Sequence, residues 1–500
     1  MVTHIRTESG FRSAGMVVVP PPSPSDTNPP LGPAILARVA ARHGHTLSVV
    51  DLNIAYINRF RGRAARRGTL ALGDHGKDRP LVAAAAEHLF AGFGLGGDAP
   101  YFLPTGEEPV QGMHFSFDTL DRRLREAAAD GGELSHWLAE SLFDRPDWPP
   151  RVFGVSLMGP SQVFVGLLAL ELVKKRWPQV TTVVGGSHVT LLAGLIRSDE
   201  RYRRNVDVVL PGHCEDEFAA LLGPGDHVPR TQRPPRAFEY TPLFDKEQLR
   251  HYPQDRLTLP VQFTRGCVYG RCTFCTYPRV EPQTTDLYED AAADTLAELA
   301  AAYGVRRFSL KDSLLTSVMM ERLASTLLAR GVPVEWSATT KVARRLVRLA
   351  PLLAASGLRT VELGVETISP RGQAVIDKRA RRTDVEQVVR ALTAQGVVVI
   401  VNLLFGLPGE TLAEAEYQLD WLRGLREAPG GERVDCSLNV LQIVRGSPMA
   451  TAAGGVPLRG IAPWAFSYAW ERPAWVAQFA ARLKHVELSG SAPQAVPALP

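Results

Sequence analysis

Phe263-Thr264-Arg265-Gly266-Cys267-Val268-Tyr269-Gly270-Arg271-Cys272-Thr273-Phe274-Cys275 begins at the end of a predicted strand, 261–264, and opens a series in which strands and helices alternate. Later strand candidates are 307–310, 334–337, 360–365, 397–404 and 436–444, each a short apolar run. Helical stretches separate them at 289–302, 319–330, 342–354, 383–395 and 411–425. Six such units fit an open, partial (β/α)6 TIM barrel over 260–445 better than a closed eight-unit one. The working face of such a barrel is at the C-terminal strand ends, where the cysteine loop lies.

Upstream, the same alternation reads differently. The run Met16-Val17-Val18-Val19 stops at Pro20-Pro21-Pro22. A helix over 32–42 and a strand over 46–50 follow, and then strands at 152–157, 181–184 and 206–210 around a helix at 163–176. This pattern predicts an α/β, doubly wound, Rossmann-like sheet with ligands beyond its strand ends. The organisation expected is a polar leader over 1–14 and this sheet over 15–223, with a helical insertion at about 58–150. A proline-rich linker at 224–259, the barrel, a C-terminal segment at 446–488 and a disordered tail at 489–500 follow. The basic run 59–67 reads as a solvated helix face.

Composition narrows the classes. With 500 residues, about three structural units are expected. A net charge of +4 is too small an excess over this length to imply nucleic acid. The longest apolar run, near 397–405, is about half the ~20 residues a membrane helix needs, and 1–13 lacks a signal-peptide apolar region. A cytoplasmic chain is expected. Five cysteines, an odd and small number, exclude a disulfide framework. Three of them, Cys267, Cys272 and Cys275, share one loop. Three thiolates there can hold a [4Fe–4S] cluster by three irons and leave the fourth iron open. A zinc knuckle would take a fourth Cys or His, which the loop lacks; zinc and unliganded cysteines remain as alternatives. Arg265, Arg271 and Arg279 are expected to offset the thiolate charge and lower the thiol pKa values. Cys436, on a barrel strand, is expected to pack.

With these motifs in place, the chain resembles radical S-adenosylmethionine (SAM) enzymes that carry an N-terminal cobalamin-binding domain, the class B methyltransferase type. The family loop is C-x-x-x-C-x-x-C, and the present one is longer by a residue, an added turn that Gly270 can absorb without steric cost. Lys311-Asp312-Ser313, Gly364-Val365-Glu366-Thr367 and Gly406-Leu407-Pro408-Gly409-Glu410-Thr411 are similar to the family's later SAM-site segments. The resemblance implies SAM contacts at Phe274, Lys311, Asp312, Ser313, Gly364, Glu366, Gly406 and Pro408. Taken alone, the 406–411 segment is also a Gly/Pro turn starting a helix, with Glu410 favouring its N-terminus.

In the first half, Pro20-Pro21-Pro22, Pro30-Leu31-Gly32-Pro33, Asp51-Leu52-Asn53, Gly154-Val155-Ser156-Leu157, Gly185-Gly186-Ser187-His188 and 207–212 carry the resemblance. It implies cobalamin contacts at Pro22, Leu31, Asp51, Asn53, Ser156, Met158, Gly185, Gly186, His188 and Gly212. An ordinary doubly wound sheet without cofactor is the alternative. The D-x-H-x-x-G motif of histidine-ligated cobalamin is missing, so loop 156–162 is the candidate for the lower face; His188 and His213-Cys214 also sit at strand ends. The resemblance further implies a 5′-deoxyadenosyl radical that takes hydrogen from an unactivated carbon, and methyl delivery from methylcobalamin to a small-molecule or peptide substrate. An external electron donor such as flavodoxin or ferredoxin is implied too. Rearrangement, ring contraction, cyclisation or oxidation without methyl transfer, and a non-catalytic zinc scaffold, are the competing outcomes. Trp464, Trp470 and Trp475 are either covers of the barrel mouth or core anchors.

Overall fold

The computed structural model describes residues 11–23, 27–66, 85, 89, 117–130, 132–223, 241–451, 455–459 and 467–488. Among them run two parallel sheets. The first comprises β1 (Ser13–Val19), β2 (Leu47–Asp51), β3 (Pro150–Ser156), β4 (Thr181–Gly185) and β5 (Val208–Leu210) in the order β2-β1-β3-β4-β5. Because both faces of a parallel sheet are covered, its central strands are continuous apolar runs, and Met16 to Val19 are all buried. Strand order reverses between β1 and β3, which opens a crevice at their C-terminal ends.

The insertion region supplies one of the sheet's covers. Helices Leu52–Arg66, Phe117–Asp130 and Glu133–Phe143 belong to the layer around helix Val163–Arg176. Leu124, Ala128, Trp137, Leu138 and Leu142 pack there against Phe164, Leu168 and neighbours. Trp148, Trp177 and Phe143 meet edge-on or tilted at 4.7–4.9 Å. The parts of the leader, insertion, linker and tail at 1–10, 67–84, 224–240 and 489–500, and Trp464 with them, lie outside the described residues.

The second sheet is β6 (Leu259–Val261), β7 (Arg307–Leu310), β8 (Glu335–Lys341), β9 (Leu358–Glu366), β10 (Val398–Phe405) and β11 (Val434–Val440), hydrogen-bonded in sequence order and all parallel. That is the six-stranded partial barrel expected. Strand β8 runs on to Lys341, past the expected 334–337, and two further departures have a visible cause. β6 stops at Val261, because the N–H groups of Phe263 and Thr264 turn away to the Asp312 carboxylate. The run 436–444 breaks after Val440: Ile443–Val444 (β12) leaves the barrel and pairs antiparallel with β14 (Ser467–Trp470), itself paired with β13 (Leu458–Arg459). Helix Val476–Leu488 lies along β11, with Phe479 and Leu483 in the barrel core. It covers an edge that would otherwise expose unpaired backbone.

The two sheets are fastened through 241–258. Arg38 donates to the Thr241 carbonyl at 2.9 Å, Leu243 N to Ala34 O at 2.9 Å and Thr258 N to Thr27 O at 3.1 Å. At the centre of this seam the Tyr252 hydroxyl donates to Asp51, whose other oxygen accepts from Asn53 N and Ile54 N. Tyr252→Phe should therefore destabilise the chain by about 1–3 kcal/mol, since a buried carboxylate oxygen loses its donor. Urea denaturation of the variant checks it; an unchanged midpoint refutes this role.

Candidate active site

The cysteine loop is held from below before it reaches its sulfurs. Asp312 Oδ1 accepts from Phe263 N, Thr264 N and the Thr264 hydroxyl, which turns the chain sharply out of β6. Glu281 then accepts from Gly266 N at 2.9 Å, Ser313 Oγ at 2.9 Å and Gln262 Nε2 at 3.1 Å. Gly266 sits at φ +70°, and a Cβ there would run into the Gln283 carbonyl. Gly270, in the enlarged gap, has φ +57°. The far side of the loop is tied to residues 375–377: Tyr269 Oη donates to Asp377 O, Arg271 pairs with the Asp377 carboxylate at 2.9 Å, and Thr273 Oγ1 donates to Val375 O at 2.9 Å.

Cys267, Cys272 and Cys275 are all half-buried thiols. Burial pushes Cys272 up to about 11 and raises Cys275; Cys267 and Glu366 further disfavour both thiolates, and Lys378 favours them. Two of the three arginines, Arg265 and Arg271, do not play the expected part. Arg265 turns away to Glu215 and His213, and Arg271 to Asp377. Lys378 is the cation that favours both the Cys272 and the Cys275 thiolates, and Lys341 also interacts with Cys272. Among the described residues no group of three or more His, Cys, Asp and Glu side chains could hold a single metal ion. A tetrahedral zinc ion with bonds of about 2.3 Å would draw its sulfurs tightly together, whereas a four-iron cluster holds each cysteine on a different iron. Three half-buried thiols on one firmly held loop suit the latter.

Next to the loop, Glu366 ends β9 at φ +66°, a conformation rare outside glycine and concentrated at functional sites. Its Oε1 meets Lys378 Nζ at 2.6 Å. The same Nζ lies 5.9 Å from the Phe274 ring centroid, and a Cβ on Gly364 would run into it. Asp377 and Arg379, flanking Lys378, are the other two non-glycine residues with positive φ among the described residues. Phe274 also packs with Ile376 and Leu407. Phe274, Gly364, Glu366 and the 406–411 turn thus converge. Within that turn, Glu410 is a fixture: it accepts from Gly406 N and Leu407 N and from Gln418 Nε2. Gly406 is buried and Pro408 half-buried.

The expected group Lys311-Asp312-Ser313 splits. Asp312 and Ser313 support the cysteine loop, and Lys311 points into the barrel. Asp312 Oδ2 is buried without a partner, and burial lifts its carboxyl to about 6. The folded chain therefore keeps this proton where the unfolded chain has lost it. Stability arising from it is full below about pH 4 and is lost as pH rises to about 6, an effect of about 2–3 kcal/mol. Asp312→Asn should flatten that slope in pH-resolved denaturation; an identical slope refutes the assignment.

At the C-terminal ends of the first sheet lies a cavity of about 180 Å³. Leu31, Ser156, Gly185, Gly186 and Gly212 line it, as do Gln262 and Arg265 from the start of the cysteine loop. Three buried polar atoms on its lining residues, His213 Nε2, Glu215 Oε2 and Arg265 Nε, have no hydrogen-bond partner. Met158 stands exposed on the adjoining loop, which is pinned by Gln162 accepting from Met158 N and donating to Pro20 O. Pro22, Asp51, Asn53 and His188 are not among the cavity-lining residues. Asp51 serves the seam, Asn53 accepts from Ser23 N, and burial lowers the His188 imidazole to about 3. Burial pushes the Cys214 thiol up to about 12. Gly186 has φ +103°, and a Cβ there would strike the Leu157 backbone. Gly186→Ala should cost about 1–3 kcal/mol in thermal or urea unfolding; a neutral substitution would show the turn adapts.

Trp470 is buried against Leu404, Leu407 and Ile443, and Trp475 donates to the Glu410 carbonyl at 3.3 Å, so both anchor the C-terminal segment. Glu215, Glu281 and Lys378 went unnoticed in the sequence. Each acts through a partner 12 to 50 positions away and belongs to no recurrent spacing.

Residues 261–422 match the radical SAM superfamily. Two curated proteins are similar. One is the anaerobic magnesium-protoporphyrin IX monomethyl ester cyclase of Rubrivivax gelatinosus, 23% identical over 310 residues. The other is an uncharacterized methyltransferase of Pyrococcus horikoshii, 21% identical over 301 residues. The matches cover 54% and 55% of this chain and 54% and 64% of those proteins, so the chain spans less than two thirds of either relative. Among solved structures, the methyltransferase TsrM of Kitasatospora setae with tryptophan substrate and a SAM analogue aligns over 96% of this chain and 89% of its own, with TM-score 0.58 and 16% identity. The cobalamin-dependent SAM radical enzyme OxsB with aqua-cobalamin aligns over 94% and 66%, with TM-score 0.59 and 12% identity. At these identities the likeness is one of fold.

Proposed function

We propose that the chain, whose residues 261–422 match the radical SAM superfamily, is a cobalamin-dependent C-methyltransferase acting on an unactivated carbon of a small-molecule or peptide substrate. The observation that carries this reading is Arg265. Two residues before Cys267, it lines the cavity of the first sheet and pairs there with Glu215 at 2.7 Å. The cavity at the strand ends of the first sheet and the cysteine loop therefore adjoin. A four-iron cluster, SAM and a cobalamin would supply, respectively, an electron, a 5′-deoxyadenosyl radical and a transferable methyl group.

The chain's own residues do the rest. Cys267, Cys272 and Cys275 hold the cluster. Glu366 and Lys378, a carboxylate and an ammonium already paired, offer complementary charges to the amino and carboxylate groups of SAM, beside Gly364 and Phe274. Glu281, Asp312 and Asp377 keep the loop in register. Gly154, Gly185 and Gly186, without side chains, let a bulky group approach the strand ends, and Met158 stands at the switch point between β1 and β3.

A second reading is favoured by the cyclase relative: the same cofactors turned to cyclisation or another rearrangement. The test is anaerobic purification with iron, sulfide and cobalamin supplied, followed by metal counting, an optical spectrum and assay with SAM, dithionite or a flavodoxin. About four iron atoms and one cobalt per chain are expected, with S-adenosylhomocysteine formed during turnover. 5′-Deoxyadenosine without S-adenosylhomocysteine moves the assignment to the second reading. A colourless zinc protein removes both.

A further inference from the structure

Barrel interiors are ordinarily packed with layers of Val, Ile and Leu. This lumen is polar at several levels, and one of them, two residues below the rim, brings a lysine and two carboxylates together. Thr339, Glu362, Ile400 and Asp435 are in register across β8 to β11, and Lys311, two residues beyond the Ser309–Ser337 pair, completes the level from the end of β7. The rim level above it contains Lys341, Gly364 and Asn402. Lys341 lies 3.4 Å from the Tyr269 ring centroid and so belongs to the cysteine loop's surroundings. The charged level is two residues, roughly 7 Å, deeper.

Lys311 and Glu362 are both exposed to the lumen. The Lys311 ammonium makes no hydrogen bond and no ion pair among the described residues. Glu362 accepts one long bond, from Thr339 Oγ1 at 3.5 Å. Burial lowers the Lys311 ammonium below its ordinary range, and Glu362 opposes that shift. Any molecule filling this space strips water from the ammonium. That is costly unless the molecule brings an anion of its own.

We propose that the substrate carries an oxyanion, a carboxylate or a phosphate, that pairs with Lys311 inside the barrel, with Glu362 accepting from a donor on the same molecule. This rests on reading the lumen as the substrate chamber of a radical SAM enzyme. It takes Lys311 out of the SAM-binding set in which the family resemblance placed it.

The experiment uses the reconstituted full chain after its iron content and SAM cleavage have been measured, so that failure of the cofactors is seen apart from failure of the lysine. The chain is treated with pyridoxal 5′-phosphate and borohydride, and labelled lysines are mapped by mass spectrometry. Lys311 is expected to label about tenfold or more faster than with phosphate-free pyridoxal, given a charge-assisted contact. Saturating SAM should leave the labelling unchanged. Competition by inorganic phosphate alone identifies a phosphate, and competition by succinate alone a carboxylate. Equal labelling by both aldehydes, protection by neither anion, or complete protection by SAM alone overturns the proposal.

Discussion

Replacing Cys267, Cys272 and Cys275 together by alanine should leave a folded chain that binds no iron. Formation of 5′-deoxyadenosine should fall by about a thousandfold or more, equal to at least roughly 4 kcal/mol of barrier. The fold should survive because these side chains are half-exposed and contribute to none of the hydrophobic clusters. The loop's path is fixed instead by Asp312, Glu281 and Asp377. Circular dichroism, iron and sulfide analysis and chromatographic product assay make the check. Residual SAM cleavage near the parent level would show that the cluster, if present, is held elsewhere.

Arg265→Met should produce the largest stability loss of any single change discussed. Arg265 and Glu215 have side chains only 7% and 8% exposed, and their 2.7 Å pair spans the two sheets. Removing one member of such a pair strands a buried charge and costs about 3–5 kcal/mol. The double variant Arg265→Met, Glu215→Leu should recover much of that, because no charge is then left without a counterpart. Urea denaturation of the two variants separates the cases. If the single variant matches the parent, the seam is not held by this pair.

Much of the architecture could be read from hydrophobic period alone. The runs Met16 to Val19 and Val397 to Leu404 are apolar in the manner of strands covered on both faces, and the helices between them repeat at 3.6 residues. Local glycines were equally legible, since Gly270 and Gly186 take the positive φ that turns demand. The errors share one cause. β6 ends early because of a carboxylate about fifty residues downstream, and 436–444 breaks because Ile443 finds its partner strand at Tyr468. Arg265 looked like a neighbour of the cysteines and is instead a bond to Glu215. Sequence periodicity reports which face a residue occupies; it does not report which distant group a polar side chain meets there. For the same reason Lys378 was invisible until β9 and the loop at 377–379 stood side by side.

The stitching of the cysteine loop to residues 375–377, and of its base to Glu281 and Asp312, bears on how the protein matures. A small zinc module is unfolded until metal arrives, so its metal affinity is folding free energy. Here the loop is held by Asp312, Glu281 and Asp377 as well as by any metal its sulfurs would bind. Removal of the cluster by chelation and its restoration should then be a reversible exchange on an unchanged body.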